Sequence, residues 1–252
     1  MDSGTFSKIR MTNRLDKELV KRGLVPTRSQ AESYIRLKKV TVNGKVQNKP
    51  GYVVDELDKI DLLEKVQYVS RAGHKLASVS EAFRLNFKGK IVLDVGSSTG
   101  GFTDYALRSG AQKVYAVDVG TGQLHPVLRT DARIDLREQT DIRDIKTLKP
   151  APEIVVIDVS FISLRAVLPS VARLVKPGGV IVAMVKPQFE AINSQLKHKG
   201  VIKNEAMRRQ ILQEFESWAK SGFVVVRKLD SAVAGEKGNK ERFYVLTPIP
   251  KK

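Results

Sequence analysis

Residues 91–107, IVLDVGSSTGGFTDYAL, constrain the fold more than any other stretch of the chain. An apolar run from Ile91 to Val95 stops at a glycine. A run of that length suits a parallel strand buried on both faces. The turn from Gly96 to Gly101 lets backbone N–H groups approach a ligand closely, and a helix is predicted from about Phe102. Its N-terminus favours an anion such as a carboxylate. Asp94 lies inside the strand end, ahead of the first glycine. The spacing argues against two nucleotide sites. A dinucleotide site opens on G-x-G-x-x-G and a P-loop needs G-K-[ST]; G-S-S-T-G-G supplies neither.

From Ile91 onward, strand and helix patterns alternate. Strands are predicted near 91–95, 113–118, 154–158 and 180–186, and helices near 102–109, 163–175 and 204–221. Phe223–Leu229 and Arg242–Thr247 read as a terminal antiparallel hairpin. This pattern predicts an α/β fold with a doubly wound sheet, in which ligands bind outside the carboxyl ends of the strands. Acids sit at those ends. Asp118 closes VYAVD and can accept both hydroxyls of a ribose; Asp158 closes VVID. Asp141, in QTDIRD, can take an adenine amino group or simply cap a helix. Lys186 ends the apolar run VIVAMV, so it must be solvated in a cleft or paired with an acid.

The front of the chain differs. Residues 7–49 carry twelve lysines and arginines against three acids, a local net of +9, whereas residues 50–64 have a net of −4. A small separate unit is predicted, with one helix from Asn13–Asp16 ended by Gly23 and a second capped by Thr27 or Ser29. A hairpin turns at Asn43-Gly44 and a closing strand spans Asp58–Leu63. The whole chain of 252 residues has a net charge of +17, which favours a polyanionic partner, most simply nucleic acid, over an anionic membrane surface. There is no cysteine, so disulfide and thiolate chemistry are excluded, and three histidines argue against a zinc site. The N-terminus shows no apolar signal region and no run of about 18 apolar residues occurs, so no membrane association is expected and a cytoplasmic location is the default.

RLDKELVKRGLVPTRSQAESYI, VTVNGKV and KPGYVV, in that order, resemble the S4 RNA-binding domain over residues 8–64. The resemblance implies that Arg14, Arg28, Ser29, Gln30, Arg36, Lys38, Lys39 and Lys45 face RNA. Lys38-Lys39 departs from the family, which often has a glycine before the hairpin. D-x-G-x-x-x-G-G after a first strand looks like the S-adenosylmethionine loop of a Rossmann-type methyltransferase. Lys75, Asp158, Lys186 and Glu241 resemble the K-D-K-E set of FtsJ-type RNA ribose 2′-O-methyltransferases. SRAGHKL, DVGSSTGGFTD, IDVSFISL, VKPQFE and GNKERF follow the order of the TlyA family, sometimes labelled haemolysins.

That resemblance implies an S4-like domain over residues 1–64, a linker over 65–70 and a methyltransferase domain over 71–252. It implies 2′-O-methylation of cytidine in ribosomal RNA, on the free RNA or in subunits, with S-adenosylmethionine and no metal. The donor is expected on Asp94, Gly96, Ser97, Ser98, Gly100, Gly101, Asp118 and Asp141. Lys186 is then the base, oriented by Asp158, with Lys75 and Glu241 positioning the ribose. Free lysine titrates near 10.4, and a neighbouring cation such as Lys75 would bring Lys186 down while Asp158 opposes that. Phe161 and Phe189 either stack on a base or pack in the core. The basic run Lys197–Lys203 either clamps RNA backbone or is solvated. Rival readings are a non-catalytic RNA-binding assembly factor, a pore-forming haemolysin, and base methylation. The last commonly uses N/D-P-P-Y/F where this chain has IDVSF. No signal sets an oligomeric state.

Overall fold

A computed structural model describes residues 12–63, 68–191, 200–233, 235 and 238–250. The chain divides into two compact units, Met1–Arg71 and Ala72–Lys252. Residues 65–67 of the expected linker, and Lys197 and Lys199 of the basic run, lie outside the described residues.

The first unit begins with β1 (Thr12–Arg14), α1 (Leu15–Lys21) and α2 (Arg28–Arg36). It continues with β2 (Val40–Val42), β3 (Lys45–Gln47), β4 (Val53–Asp55) and β5 (Ile60–Leu62). Thr27 caps α2 by accepting the Gln30 N–H, satisfying one of the four donors a helix start leaves open. Apolar residues of both helices, Leu15, Leu19, Ala31, Tyr34 and Ile35, close on Val40, Val42, Val54 and Ile60. β2 is the centre of a three-stranded antiparallel sheet in the order β3-β2-β5, and β1 pairs with β4. The Asn43-Gly44 turn has φ of 51° and 77°, as a tight hairpin requires. Lys38 adopts φ 60° just beyond α2, so the lysine takes the left-handed role usually given to glycine, and the turn into β2 is kept.

α3 (Arg71–Phe83), a helix the sequence reading did not assign, starts at the last residue of the first unit and otherwise belongs to the second. β6 (Ile91–Val95), α4 (Gly101–Arg108), β7 (Lys113–Val117), α5 (Pro126–Arg129) and β8 (Ile134–Arg137) follow. Then come β9 (Ile154–Ile157), α6 (Leu164–Leu174), β10 (Val180–Val185), α7 (Pro187–Glu190) and α8 (Glu205–Ala219). The chain closes with β11 (Phe223–Asp230) and β12 (Arg242–Pro248). The sheet order is β11-β12-β10-β9-β6-β7-β8. β10, β9, β6, β7 and β8 run parallel, and β12 is antiparallel to both β10 and β11. Strand order reverses between β6 and β9, the switch point where open α/β sheets bind ligands. Every residue of β6 and β9 is buried, with α6 and α8 packed through Leu168, Val171, Leu212 and Phe215. Among the described residues no helix is long and apolar enough to cross a membrane.

Register aligns the carboxyl ends. Val95 lies opposite Val117 on one side and Ile157 on the other. The next residues, Gly96, Asp118 and Asp158, therefore form one row beyond the sheet. Gly96 has φ 78°, and a Cβ there would lie 2.7 Å from the Asp158 carbonyl oxygen. We expect Gly96→Ala to lower the stability of this unit by about 1–3 kcal/mol, the range for a strained backbone position. Denaturant unfolding followed through Trp218, the chain's single tryptophan, measures it. An unchanged midpoint contradicts the close approach.

Candidate active site

Beyond that row lies a cavity of about 440 Å³, lined among others by Gly96, Ser98, Asp118, Asp141, Asp158 and Phe161. A larger hollow of about 760 Å³ beside Trp218 and Phe223 gathers no such set of acids. Asp118 Oδ2 accepts the Ser98 N–H at 2.8 Å and Oδ1 accepts the Gly120 N–H at 2.7 Å. A carboxylate offers about four acceptor positions, so Asp118 is oriented by the backbone and keeps capacity for hydroxyl groups. Asp141 precedes a turn rather than a helix. It accepts the Arg143 N–H at 2.9 Å as a local cap and lines the cavity. The hydrogen-bonded Arg143 guanidinium, at 2.6 Å, holds its carboxyl below the usual range.

The remaining residues expected around a donor do not line this cavity. Asp94 is fully buried beneath the loop and accepts Thr103 Oγ1 at 2.6 Å. Burial pushes its carboxyl up to about 7; the Thr103 hydrogen bond opposes this, and Asp158 and Asp118 add to it. Ser97 is buried, with its N–H on the Val117 carbonyl. Gly100 has φ 89°, and a Cβ there would meet Leu124 Cδ1 at 2.7 Å. Gly101 is the first residue of α4 and is also buried. These four shape the loop; Gly96 and Ser98 present it.

The candidate catalytic residues assemble as two lysine–carboxylate pairs. Lys186 Nζ lies 2.6 Å from Asp158 Oδ1 and donates to Ser160 Oγ at 2.7 Å. Lys75 Nζ lies 2.5 Å from Glu241 Oε2, and both residues are buried. Val185 pairs with Arg242 in the antiparallel register, so Lys186 and Glu241 are the next residues on facing strands. The partner of Lys75 in the structure is thus Glu241. Removing one member of a buried pair leaves an uncompensated charge, so Lys75 and Glu241 stand or fall together.

Two supporting residues, Glu190 and Asn239, escaped the sequence reading, and Phe161 resolves one of its alternatives. Glu190 of α7 is buried and accepts Ser163 Oγ and the Leu164 N–H, both at 2.6 Å, tying the segment after Lys186 to the start of α6. Burial pushes its carboxyl up, partly offset by those two bonds. Asn239 is buried and accepts the Ile202 N–H at 2.9 Å while donating to the Gly200 carbonyl at 3.0 Å. It fastens the segment that carries Glu241. Phe161 is 91 % exposed, sits at φ 64° and faces Phe189 with ring centroids 5.2 Å apart. Left-handed non-glycine residues cluster at functional sites, and this exposure removes Phe161 from the core.

In the first unit, Arg36, Lys38 and Lys45 are exposed and Lys39 is half-buried. Arg14 and Arg28 are both clamped to the fully buried Asp16, at 2.9 and 2.8 Å. Burial would raise the Asp16 carboxyl, but the two guanidiniums outweigh it and bring it down to about 2. About half of each arginine side chain stays exposed, so both are oriented yet reachable. Gln30 corrects the expectation: it is 3 % exposed, with its carboxamide toward the Tyr68 carbonyl, because the face of α2 that carries it packs inward. The Ser29 side chain lies outside the described residues.

Comparison with known proteins agrees with both units. The model of the FtsJ-like methyltransferases matches residues 68–247 and that of the S4 domain matches residues 13–60. A Bacillus subtilis protein provisionally named an rRNA methyltransferase, YqxC, is 41% identical over 233 residues, covering 90% of this chain and 83% of that protein. The Mycobacterium tuberculosis protein named 16S/23S rRNA (cytidine-2'-O)-methyltransferase TlyA is 37% identical over 238 residues, covering 92% of this chain and 89% of that protein. A solved structure from Streptococcus thermophilus, provisionally labelled a hemolysin, superposes with a TM-score of 0.73 at 38% identity, covering 95% of this chain and 90% of the other.

The raised Asp94 carboxyl gives a pH signature. It titrates near 7 when folded against an ordinary 3.8, so between these values the folded unit binds more protons than the unfolded chain. Stability contributed by this group therefore falls as pH rises from about 4 to about 7, by at most about 1.4 kcal/mol per pH unit. We expect Asp94→Asn to remove that slope in unfolding monitored through Trp218; an identical slope in the variant contradicts the assignment.

Proposed function

Because the chain belongs to the FtsJ-like methyltransferase family and carries an S4 domain in front of it, we propose that it transfers a methyl group from S-adenosylmethionine to the 2′-hydroxyl of a cytidine in ribosomal RNA. The observation that carries this reading is the contact of Lys186 Nζ with Asp158 at 2.6 Å, on the rim of the cavity that holds Asp118 and Asp141. In this reading residues 1–64 bind RNA, residues 65–70 link and residues 71–252 carry out the transfer. The partner is ribosomal RNA, free or in subunits, and the work is cytoplasmic.

The cavity suits the donor chemically. Asp118 offers oriented acceptors for ribose hydroxyls, Asp141 for an amino group, and Gly96 leaves its backbone open where a side chain would collide with Asp158. When bound, S-adenosylmethionine supplies an electrophilic methyl group. A ribose hydroxyl is almost wholly protonated near neutral pH and is a poor nucleophile until it loses that proton. Lys186 Nζ is the group placed to take that proton, a task that positioned general bases perform for about 10²–10⁴-fold in rate. Asp158 and Ser160 fix where Nζ points. Lys75 and Glu241 hold the ribose beside it. Phe161, exposed above the cavity, offers a face on which an unstacked base can lie. Arg14, Arg28, Arg36, Lys38 and Lys45 meet phosphates, which position the RNA without reading its sequence.

The test is methyl transfer from labelled S-adenosylmethionine to ribosomal subunits lacking 2′-O modification, with nuclease digestion and mass spectrometry of the nucleosides. Wild type is expected to yield 2′-O-methylcytidine, and Lys186→Ala to lose at least about 100-fold in rate while still binding RNA. A methyl on a base or on another nucleoside overturns the proposed chemistry. Undiminished transfer by the variant removes Lys186 from its role.

A further inference from the structure

The segment Val119–His125, VGTGQLH, contributes no ionisable partner to the two pairs, yet its last three residues, Gln123 to His125, are fastened to the glycine loop. His125 N–H donates to the Thr99 carbonyl at 3.2 Å. Leu124 and Leu128 fill the space beside Gly100 that a side chain there would take. Ser98 Oγ donates to Gln123 Oε1 at 3.0 Å. Gln123 Nε2 occupies the position of a Cβ on Gly120, so that glycine is required for the carboxamide to sit where it does. The segment is anchored from behind as well. Gln123 N–H donates to Glu138 Oε1 at 3.2 Å, and Arg129 reaches both Glu138 at 2.5 Å and the Leu124 carbonyl at 3.0 Å.

Ser98 is the residue that gains from this arrangement. It is a non-glycine at φ 47°, a left-handed conformation unfavourable for an ordinary residue. In that conformation its N–H points at Asp118 Oδ2 at 2.8 Å. Both Ser98 and Gln123 line the cavity with Asp118 and Gly120. A side chain that ties down the strained serine therefore acts on the acid that is to receive the donor.

We propose that Gln123 is a positioning residue for the methyl donor: through Ser98 it latches the glycine loop onto Asp118 and slows escape of the donor from the cavity. This rests on the assignment of the cavity to S-adenosylmethionine. The effect is modest, because one hydrogen bond between exposed side chains is lost when the latch is cut.

The experiment uses the full chain and S-adenosylhomocysteine as the probe, with affinity from calorimetry and dissociation from stopped-flow displacement. Gln123→Met keeps the length of the side chain without an acceptor, and Ser98→Ala removes the donor. Each is expected to weaken binding about three- to tenfold, chiefly through faster dissociation, and to raise KM for the methyl donor more than it lowers kcat. The double variant is expected to lose no more than the worse single one, since both cut the same bond. Unchanged dissociation in Gln123→Met, or losses that multiply in the double variant, overturn the latch. Absence of binding by the wild type overturns the donor assignment itself, and the latch with it, whereas wild-type binding with unaltered variants overturns the latch alone.

Discussion

The close approach of Gly96 to the Asp158 carbonyl is the contact on which the rest of the site depends. A parallel sheet can bring a glycine loop and an acid side by side only if the residue beyond the first strand has no side chain and can take a positive φ. Once that is met, the register of β6 with β7 and β9 sets Gly96, Asp118 and Asp158 in one row. The antiparallel strand β12 then delivers Glu241 to the far side of Lys186. Loop geometry, acid placement and the reach of Lys186 are consequences of one backbone contact at the switch point of the sheet.

Charge is arranged differently in the two units. In the second, Asp158 beyond the end of β9 and Glu241 just ahead of β12 each hold one of the two candidate lysines, so that Nζ positions are fixed in a protein of net charge +17. In the first, the buried Asp16 organises two half-exposed arginines, and the buried Glu18 holds Arg22. The buried carboxylate orients basic groups without cancelling the attraction of the surface for a polyanion. That division suits a protein in which one part reads shape and phosphate and the other performs chemistry on one sugar.

Much of this was legible from the chain because it rests on strong local signals. The apolar runs that stop at Gly96, Asp118, Asp158 and Lys186 gave the parallel strands, and Asn43-Gly44 gave the first hairpin. What escaped was weak or nonlocal. β8 holds only Ile134 and Leu136 as apolar residues, at a sheet edge where every position is half-buried, so no pattern announced it. β1 and β4 are three residues each and pair across forty positions of chain. α3 did carry a readable period in Leu76, Val79, Ser80 and Phe83, all buried, but its glycine and histidine obscured it. Gln123, Asn239 and Glu190 work through backbone groups and hydroxyls distant in sequence, a role with no spacing signature. Gln30 was misplaced because a helix in a basic segment still needs one inward face.

The central claim is that donor binding and proton removal reside in separate constellations along one sheet edge. Calorimetric titration of S-adenosylhomocysteine into Asp118→Ala and Lys186→Met tests it most directly. The account predicts that Asp118→Ala loses at least about tenfold in affinity, the worth of a charge-assisted hydrogen bond, while Lys186→Met binds within about twofold of wild type. Loss of binding in Lys186→Met, with Asp118→Ala unaffected, would contradict it.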